Sequence, residues 1–235
     1  MAREPDTGDG YAAARADLLG TIAREVGWYG IGDGTRELDP RVLAAMDRVP
    51  RERFVPAESA GAAYDNRPLP IGHRQTISQP LIVAVMTHLL HIEPGAHVLE
   101  VGTGSGYQTA VLAELAGRVT TIEIVEPLAA GARAILEELG YHNVTFRFGD
   151  GSAGCPERAP FDGIIVTAAA RDIPQALVDQ LKPGGRLVIP VGPDPGGQDL
   201  LLVEKTAEGK IRETRLFSVA FVPLTGGPGG RPGPG

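Results

Sequence analysis

The sequence predicts an α/β fold: a doubly wound, mostly parallel sheet of about seven strands, preceded by an N-terminal helical extension. Three observations predict it. From residue 95 onward, short apolar runs alternate with helical segments, the pattern of a parallel sheet covered on both faces. Before residue 95, apolar residues recur at helical spacing. At the junction, glycines at 102, 104 and 106 join the first apolar run to a helix.

The extension reads as three helices. Residues 11–26 carry Leu18, Leu19, Ile22 and Val26 on one face. Asp39-Pro40 starts the second, with Asp at the N-cap and Pro at the first helical position; its apolar face is Val42, Leu43 and Met46. A stretch holding Pro50, Pro56, Pro68 and Pro70 reads as loop. The third helix follows Ser78-Gln79-Pro80 and covers residues 81–90.

In the alternating part, residues 97–101 read as a buried strand and 107–116 as a helix. Residues 118–124 form the second strand, and 127–139 a helix closed by Gly140. The third strand is 144–148 and the fourth 162–167. A helix over 174–181 ends at Pro183-Gly184-Gly185, and 186–191 is the fifth strand. Segments 200–205 and 211–222 read as an antiparallel hairpin that completes the sheet. Residues 1–10 read as a flexible leader. Residues 226–235, nine Gly or Pro and one Arg, read as a disordered tail, since they have no apolar surface to bury.

The bulk numbers narrow the function. A length of 235 residues with 43% hydrophobic content suits one large domain. The net charge of −7 argues against nonspecific binding to nucleic acid or to an anionic membrane. It is silent on peptide substrates. The single cysteine, Cys155, permits neither an internal disulfide nor a two-thiol redox motif, as suits a reducing cytoplasm. The N-terminus lacks the signal-peptide pattern, and no apolar run reaches the ~18 residues of a membrane span. A cytoplasmic monomer is expected.

The glycine turn carries the ligand expectation. After a strand and before a helix, it lets a ligand approach the backbone closely. A dinucleotide fingerprint would put its third glycine at position 107, which is Tyr107. Glu123, at the end of the second strand, suits two ribose hydroxyls; a nicotinamide enzyme would use the same device, so Glu123 indicates a nucleoside without choosing one. Gly149-Asp150-Gly151 follows the third strand, where Asp150 could meet an adenine amino group or simply make an Asp-Gly turn.

At this point the residues match a family. Val49 to Pro56 (VPRERFVP), Leu69 to Gly72 (LPIG), Gln75 to Pro80 (QTISQP) and Val98 to Tyr107 (VLEVGTGSGY) carry the match. Gly149-Asp150-Gly151, Pro160 to Asp162, Gly185 to Gly192 and Phe221 to Thr225 (FVPLT) continue it. The chain resembles the protein-L-isoaspartate (D-aspartate) O-methyltransferases, of the class I, Rossmann-like methyltransferases, over about residues 38–225. The resemblance implies transfer of a methyl group from S-adenosyl-L-methionine to the α-carboxylate of L-isoaspartyl residues in damaged proteins and peptides. The ester then cyclises to a succinimide that can reopen as normal aspartate. Family branches that methylate aspartate in modified peptides share these motifs, and a non-catalytic nucleoside-binding module is the reading from another class.

By this resemblance Ser78 matches the family's active-site serine. The expected cofactor-binding set is Thr76, Ile77, Glu100, Gly102, Thr103, Gly104, Ser105, Glu123, Gly149, Asp150, Gly151 and Thr225. The expected substrate-binding set is Ser78, Ala168, Ala169, Val191, Val222 and Leu224. Residues 11–225 form one methyltransferase domain, with the substrate-binding part at 11–94 and the cofactor core at 95–225. Partners are isoaspartyl proteins and peptides, not nucleic acid or membrane. His73-Arg74 departs from the family's small or flexible residue before Gln75; Arg74 could serve the substrate carboxylate or face solvent.

The chemistry needs little acid–base help. A carboxylate with a pKa of about 4 is ionised at pH 7, so no general base is required. Ser78 can donate a hydrogen bond that orients one carboxylate oxygen; its rival role is a helix N-cap. His73, His88, His91, His97 and His142 lack metal-ligand spacing, and His88 and His91 are expected on the surface. Cys155 has no activating partner nearby in the sequence.

Overall fold

Leu18, Ile22 and Val26, four residues apart, form the buried face of α1 (Ala12–Tyr29). The computed structural model describes residues 10–193 and 197–226; the expected leader and tail, but for Gly10 and Gly226, lie outside the described residues. In α2 (Pro40–Arg48) the Asp39 side chain accepts the Arg41 N–H at 2.8 Å, and Pro40 takes the first helical position, as the sequence predicts. The helix buries Val42, Ala45 and Met46, and Leu43 is only half-buried.

The proline-rich stretch is not all loop. Two 3₁₀ turns, Arg51–Phe54 and Ala57–Ala62, lead into an antiparallel hairpin of β1 (Leu69–Gly72) and β2 (Gln75–Ile77). Its two-residue turn is His73-Arg74, with φ of 50° and 57°. Both residues have the positive φ that a type I′ turn needs, but neither is the Gly or Asn that would signal it. Pro70 is tolerated because a two-stranded ribbon is all edge, so a missing N–H need not break a ladder. Arg74 is exposed at the tip. α3 (Pro80–Leu89) follows, with Gln79 at its N-cap and no side-chain cap. Ser78 is therefore not the cap.

The main sheet has seven strands: β3 (His97–Val101), β4 (Arg118–Glu123), β5 (Val144–Phe148), β6 (Phe161–Val166), β7 (Leu181–Val191), β8 (Gln198–Lys205) and β9 (Ile211–Val219). Their order is β5-β4-β3-β6-β7-β8-β9. The first five run parallel; β8 and β9 are antiparallel. The chain enters at β3 and winds first to β4 and β5, then crosses to β6 on the other side. This reversal makes a crevice at the carboxyl ends of β3, β4 and β6, where doubly wound sheets bind ligands.

Alternation along β3 supplies both cores. Val98 joins a cluster with α1, α2, α3 and α4 (Tyr107–Ala113); Leu99 and Val101 join the other, with Leu177 and Val178 of α6 (Gln175–Asp179). All five β3 residues are buried, as a central parallel strand covered on both faces requires. α5 (Glu126–Glu138) ends near Gly140, whose φ is 82°.

Two expectations change. The helix expected to run to residue 181 stops at Asp179, and Leu181 already pairs with Phe161 on β6. Pro183-Gly184-Gly185 sits in the irregularity before Arg186 pairs with Gly163, so it bends a strand instead of ending a helix. His88 is buried, not on the surface, because its Nδ1 accepts the Asp39 N–H at 2.9 Å at the start of α2. Burial lowers its pKa below the ordinary histidine value. His91 is exposed.

The sheet centre tests this packing. Ile164 on β6 is wholly buried. Ile164→Ala should lower stability by about 2–5 kcal/mol, read as a shifted urea midpoint at unchanged slope.

Candidate active site

The site begins with a backbone path closed to most residues. Gly102 has a φ of 98°, and a Cβ there would meet Thr167 Oγ1 at 2.4 Å. The Thr167 hydroxyl uses that space to reach Gly102 O at 2.5 Å and Val101 O at 3.1 Å. From the other side, Gly102 N–H and Thr103 N–H both donate to Ile122 O at the end of β4. Gly106 caps α4 in the left-handed region; its missing side chain lets Ala132 and Leu136 of α5 pack close. The turn is held between β4 and β6.

Glu123 completes the hold. Its Oε2 accepts Gly104 N–H at 2.8 Å, and its Oε1 accepts the N–H groups of Ile124 and Val125, each at 2.9 Å. A carboxylate offers about four lone-pair positions, so three backbone donors leave acceptor capacity at the crevice.

Glu100 has a different place from the one expected. It does not line the pocket but lies wholly buried beneath the turn. Its Oε2 accepts the Thr109 hydroxyl at 2.5 Å and the Thr121 hydroxyl at 2.7 Å. Thr121 has one proton and spends it there, so the Thr103 hydroxyl donates to Thr121 Oγ1 across 2.6 Å. The chain of hydroxyls ties the turn to the sheet interior. Glu100 Oε1 has no hydrogen-bond partner among the described residues, and burial pushes the carboxyl up to about 8.

Around the turn lies a cavity that opens to solvent. Of the expected cofactor residues, Thr76, Ile77, Gly102, Thr103, Gly104, Ser105, Glu123, Gly149, Gly151 and Thr225 line it. So do Ser78, Ala168, Val222 and Leu224 from the substrate set. The hairpin supplies one wall. The segment after β9 supplies another, tied down by Ala169 N–H to Val222 O and Leu224 N–H to Ala169 O, each at 2.8 Å.

Three more expected residues stand outside the wall. The Asp150 carboxylate accepts Ser152 N–H at 2.8 Å, and Gly226 packs so tightly on it that a Cβ there would lie 2.4 Å away. Ala169 is buried, its backbone consumed by the C-terminal segment. Val191 bridges to Ala170, and the neighbouring backbone bonds secure the end of β7.

Pro223 lines it between Val222 and Leu224, and other lining residues were not anticipated: Gln75, Val83, Val101, Tyr107, Gln108, Ile122, Ile124, Val125 and Thr167. Ile124 and Val125 carried a signal, since an apolar pair directly after an acidic strand end suits a flat base beside a ribose. Thr167 carried none; its role depends on Gly102, distant in the chain. The Ser78 hydroxyl makes no hydrogen bond among the described residues, and it opens on the same cavity as Glu123. The arrangement can hold a nucleoside by its hydroxyls at one end and offer a hydroxyl donor to an anion at the other.

Comparison with known proteins agrees in scale. The family model described as Protein-L-isoaspartate(D-aspartate) O-methyltransferase matches residues 33–229. The chain is 56% identical over 219 residues to Protein-L-isoaspartate O-methyltransferase 2 of Syntrophobacter fumaroxidans, covering 93% of this chain and 89% of that one. A solved protein-L-isoaspartate O-methyltransferase superposes with a TM-score of 0.78 at 27% identity, over 90% of this chain; the chain spans 66% of that protein's length. A structure described as a protein-L-isoaspartate O-methyltransferase from Plasmodium falciparum, in complex with S-adenosyl-L-homocysteine, gives 0.75 at 28% identity, over 90% and 98% of the two chains.

Glu100 makes stability depend on pH. Its carboxyl titrates at about 8 when folded, against an ordinary 4.5. Between these values the folded chain keeps a proton that the unfolded chain has lost. This contribution is full below 4.5 and disappears as pH rises through 8. Denaturation from pH 5 to 8 should show stability falling more steeply in the wild type than in Glu100→Gln, by up to about 1.4 kcal/mol per pH unit. Parallel profiles would refute the buried neutral carboxyl.

Proposed function

The chain belongs to the protein-L-isoaspartate(D-aspartate) O-methyltransferase family, and on that premise we infer that it methylates the α-carboxylate of L-isoaspartyl residues in damaged proteins, as an enzyme of protein repair. It is a class I, S-adenosylmethionine-dependent methyltransferase. The observation that carries the reading is the convergence on one cavity of the glycine turn, Glu123 and the unbonded Ser78 hydroxyl.

The residues suit the cofactor. Glu123 retains acceptor capacity for the two ribose hydroxyls, and Ile122, Ile124 and Val125 offer an apolar surface for adenine. The open turn at Gly102 and Gly104, with Ser105, Thr76 and Ile77, suits the amino-acid end. Bound S-adenosylmethionine supplies an electrophilic methyl group on a sulfonium. The protein supplies orientation and exclusion of water, worth up to ~7–11 kcal/mol in favourable cases.

The nucleophile is a carboxylate already ionised at neutral pH, so no residue need take a proton from it. Ser78 donates a hydrogen bond to one carboxylate oxygen and leaves the other to attack; Ser78 itself is not modified. Ala168, Val222 and Leu224, with Thr225, border the path by which a peptide reaches Ser78. Glu100 acts from below as a support of the turn. Asp150 supports the adenine end through the loop it caps.

We read residues 11–225 as one domain, with the part before 95 contributing the hairpin and Ser78. Packing of α1, α2 and α3 into one core with the sheet supports this. The acidic charge and the single buried cysteine support a cytoplasmic monomer that acts on proteins and not on nucleic acid.

Incubation with labelled S-adenosylmethionine and paired peptides should label the isoaspartyl peptide well above its aspartyl twin; equal labelling would reject the substrate. Ser78→Ala should reduce kcat/KM for that peptide by roughly 10- to 100-fold, the worth of a hydrogen bond to a charged group. Binding of S-adenosylhomocysteine, measured by calorimetry, should stay within about threefold if Ser78 serves the carboxylate alone.

A further inference from the structure

Arg51 is the largest wholly buried side chain of the described residues, and no acidic group pairs with it there. Its Nε donates to Ala63 O at 2.8 Å and its Nη2 to Ser78 O at 2.9 Å. Its guanidinium carbon lies 4.7 Å from the ring centroid of Tyr107, the first residue of α4 after the glycine turn. Phe54 packs edge-on against the same ring at 5.7 Å. Nη1 meets no acceptor at hydrogen-bond geometry among the described residues, although the Tyr107 phenol interacts electrostatically with the guanidinium.

This is an expensive arrangement. A buried cation without a counter-ion costs several kcal/mol, and an unpartnered buried donor adds to that. A leucine or methionine would fill such a space without either penalty. What the guanidinium provides, and an apolar side chain does not, is a rigid planar fork that reaches a backbone carbonyl and an aromatic face together. The carbonyl belongs to the residue that holds the substrate carboxylate. The ring belongs to the helix that starts from the cofactor turn and lines the same cavity.

We propose that Arg51 is a positioning residue for methyl transfer, fixing the Ser78 backbone against Tyr107 and so setting the Ser78 hydroxyl relative to the cofactor turn. It touches neither substrate nor cofactor. The hairpin that leads to Ser78 has only two strands, and such ribbons are marginal alone. The Arg51 bond clamps its far end to the cofactor side. This rests on the Ser78 reading above.

The test is a double-mutant cycle of Arg51→Lys with Ser78→Ala, with folding checked by circular dichroism. Lysine keeps the charge and loses the planar fork. With an isoaspartyl peptide, Arg51→Lys should lower kcat/KM by about tenfold or more, chiefly through kcat, with the Kd for S-adenosylhomocysteine changed less than about threefold. In the Ser78→Ala background the same change should cost less than about threefold, because there is no hydroxyl left to orient. Equal losses in both backgrounds, or full activity in folded Arg51→Lys, would overturn the proposal. If Arg51→Lys does not fold, Arg51→Met, which fills the space and removes the bond to Ser78 O, takes its place under the same criteria. A wild-type enzyme inactive on the isoaspartyl peptide would instead overturn the substrate assignment.

Discussion

The site depends on where one carboxylate is held. Glu123 ends β4 at the switch point and takes Gly104 N–H on one side and Ile124 and Val125 N–H on the other. The glycine turn and the loop after β4 are thereby fixed across the crevice from each other. Thr167, after β6, braces the turn from the opposite side through its hydroxyl, in the space that a Cβ on Gly102 would fill. Neighbouring strands β4, β3 and β6 thus hold a single loop. Only at the switch point do strands leave in both directions from β3, so only there can a turn be gripped from both sides.

Two glutamates brace the turn in different surroundings. Glu100, under the turn, is buried among threonine hydroxyls and held protonated near neutral pH first by desolvation, with Glu123 adding to the rise. Glu123 meets three backbone donors at the edge of the cavity. Were both ionised, their repulsion would act across the turn that each of them braces. Keeping the lower one neutral adds no charge beneath the mouth, where hydroxyl donors of a nucleoside would arrive.

Legibility in the sequence followed the range of the interaction. The parallel strands apart from the start of β7, the α2 cap at Asp39-Pro40 and the glycine turn depend on near neighbours, and their positions could be read within a residue or two. The β1–β2 hairpin could not, because Pro70 and the non-glycine turn His73-Arg74 hide it. At the site, Glu123 was legible from its place at a strand end. Glu100 was misplaced because β3 is buried on both faces, so a motif residue there can point away from the ligand and still serve the turn. Asp150 could be read only as an acidic residue between glycines after a strand, because its bond to Ser152 and the packing of Gly226 on it depend on the loop beyond. Thr167 gave no signal, since its partner Gly102 is brought to it only by the pairing of β3 with β6.

If Ser78 holds the substrate carboxylate as proposed, the place of Arg51 behind it suits the reaction. Among the described residues no lysine or arginine lines the cavity. A cation in contact with the carboxylate would bind that anion most strongly before transfer, when its charge is full. As the oxygen takes up the methyl group its charge falls, so such a contact weakens towards the transition state and raises the barrier. A neutral hydroxyl orients the anion with a smaller penalty of this kind. Precision then has to come from elsewhere, because a serine on a short hairpin is poorly anchored. On the proposed reading of Ser78, the guanidinium bonded to the Ser78 carbonyl would supply that rigidity from outside the cavity lining.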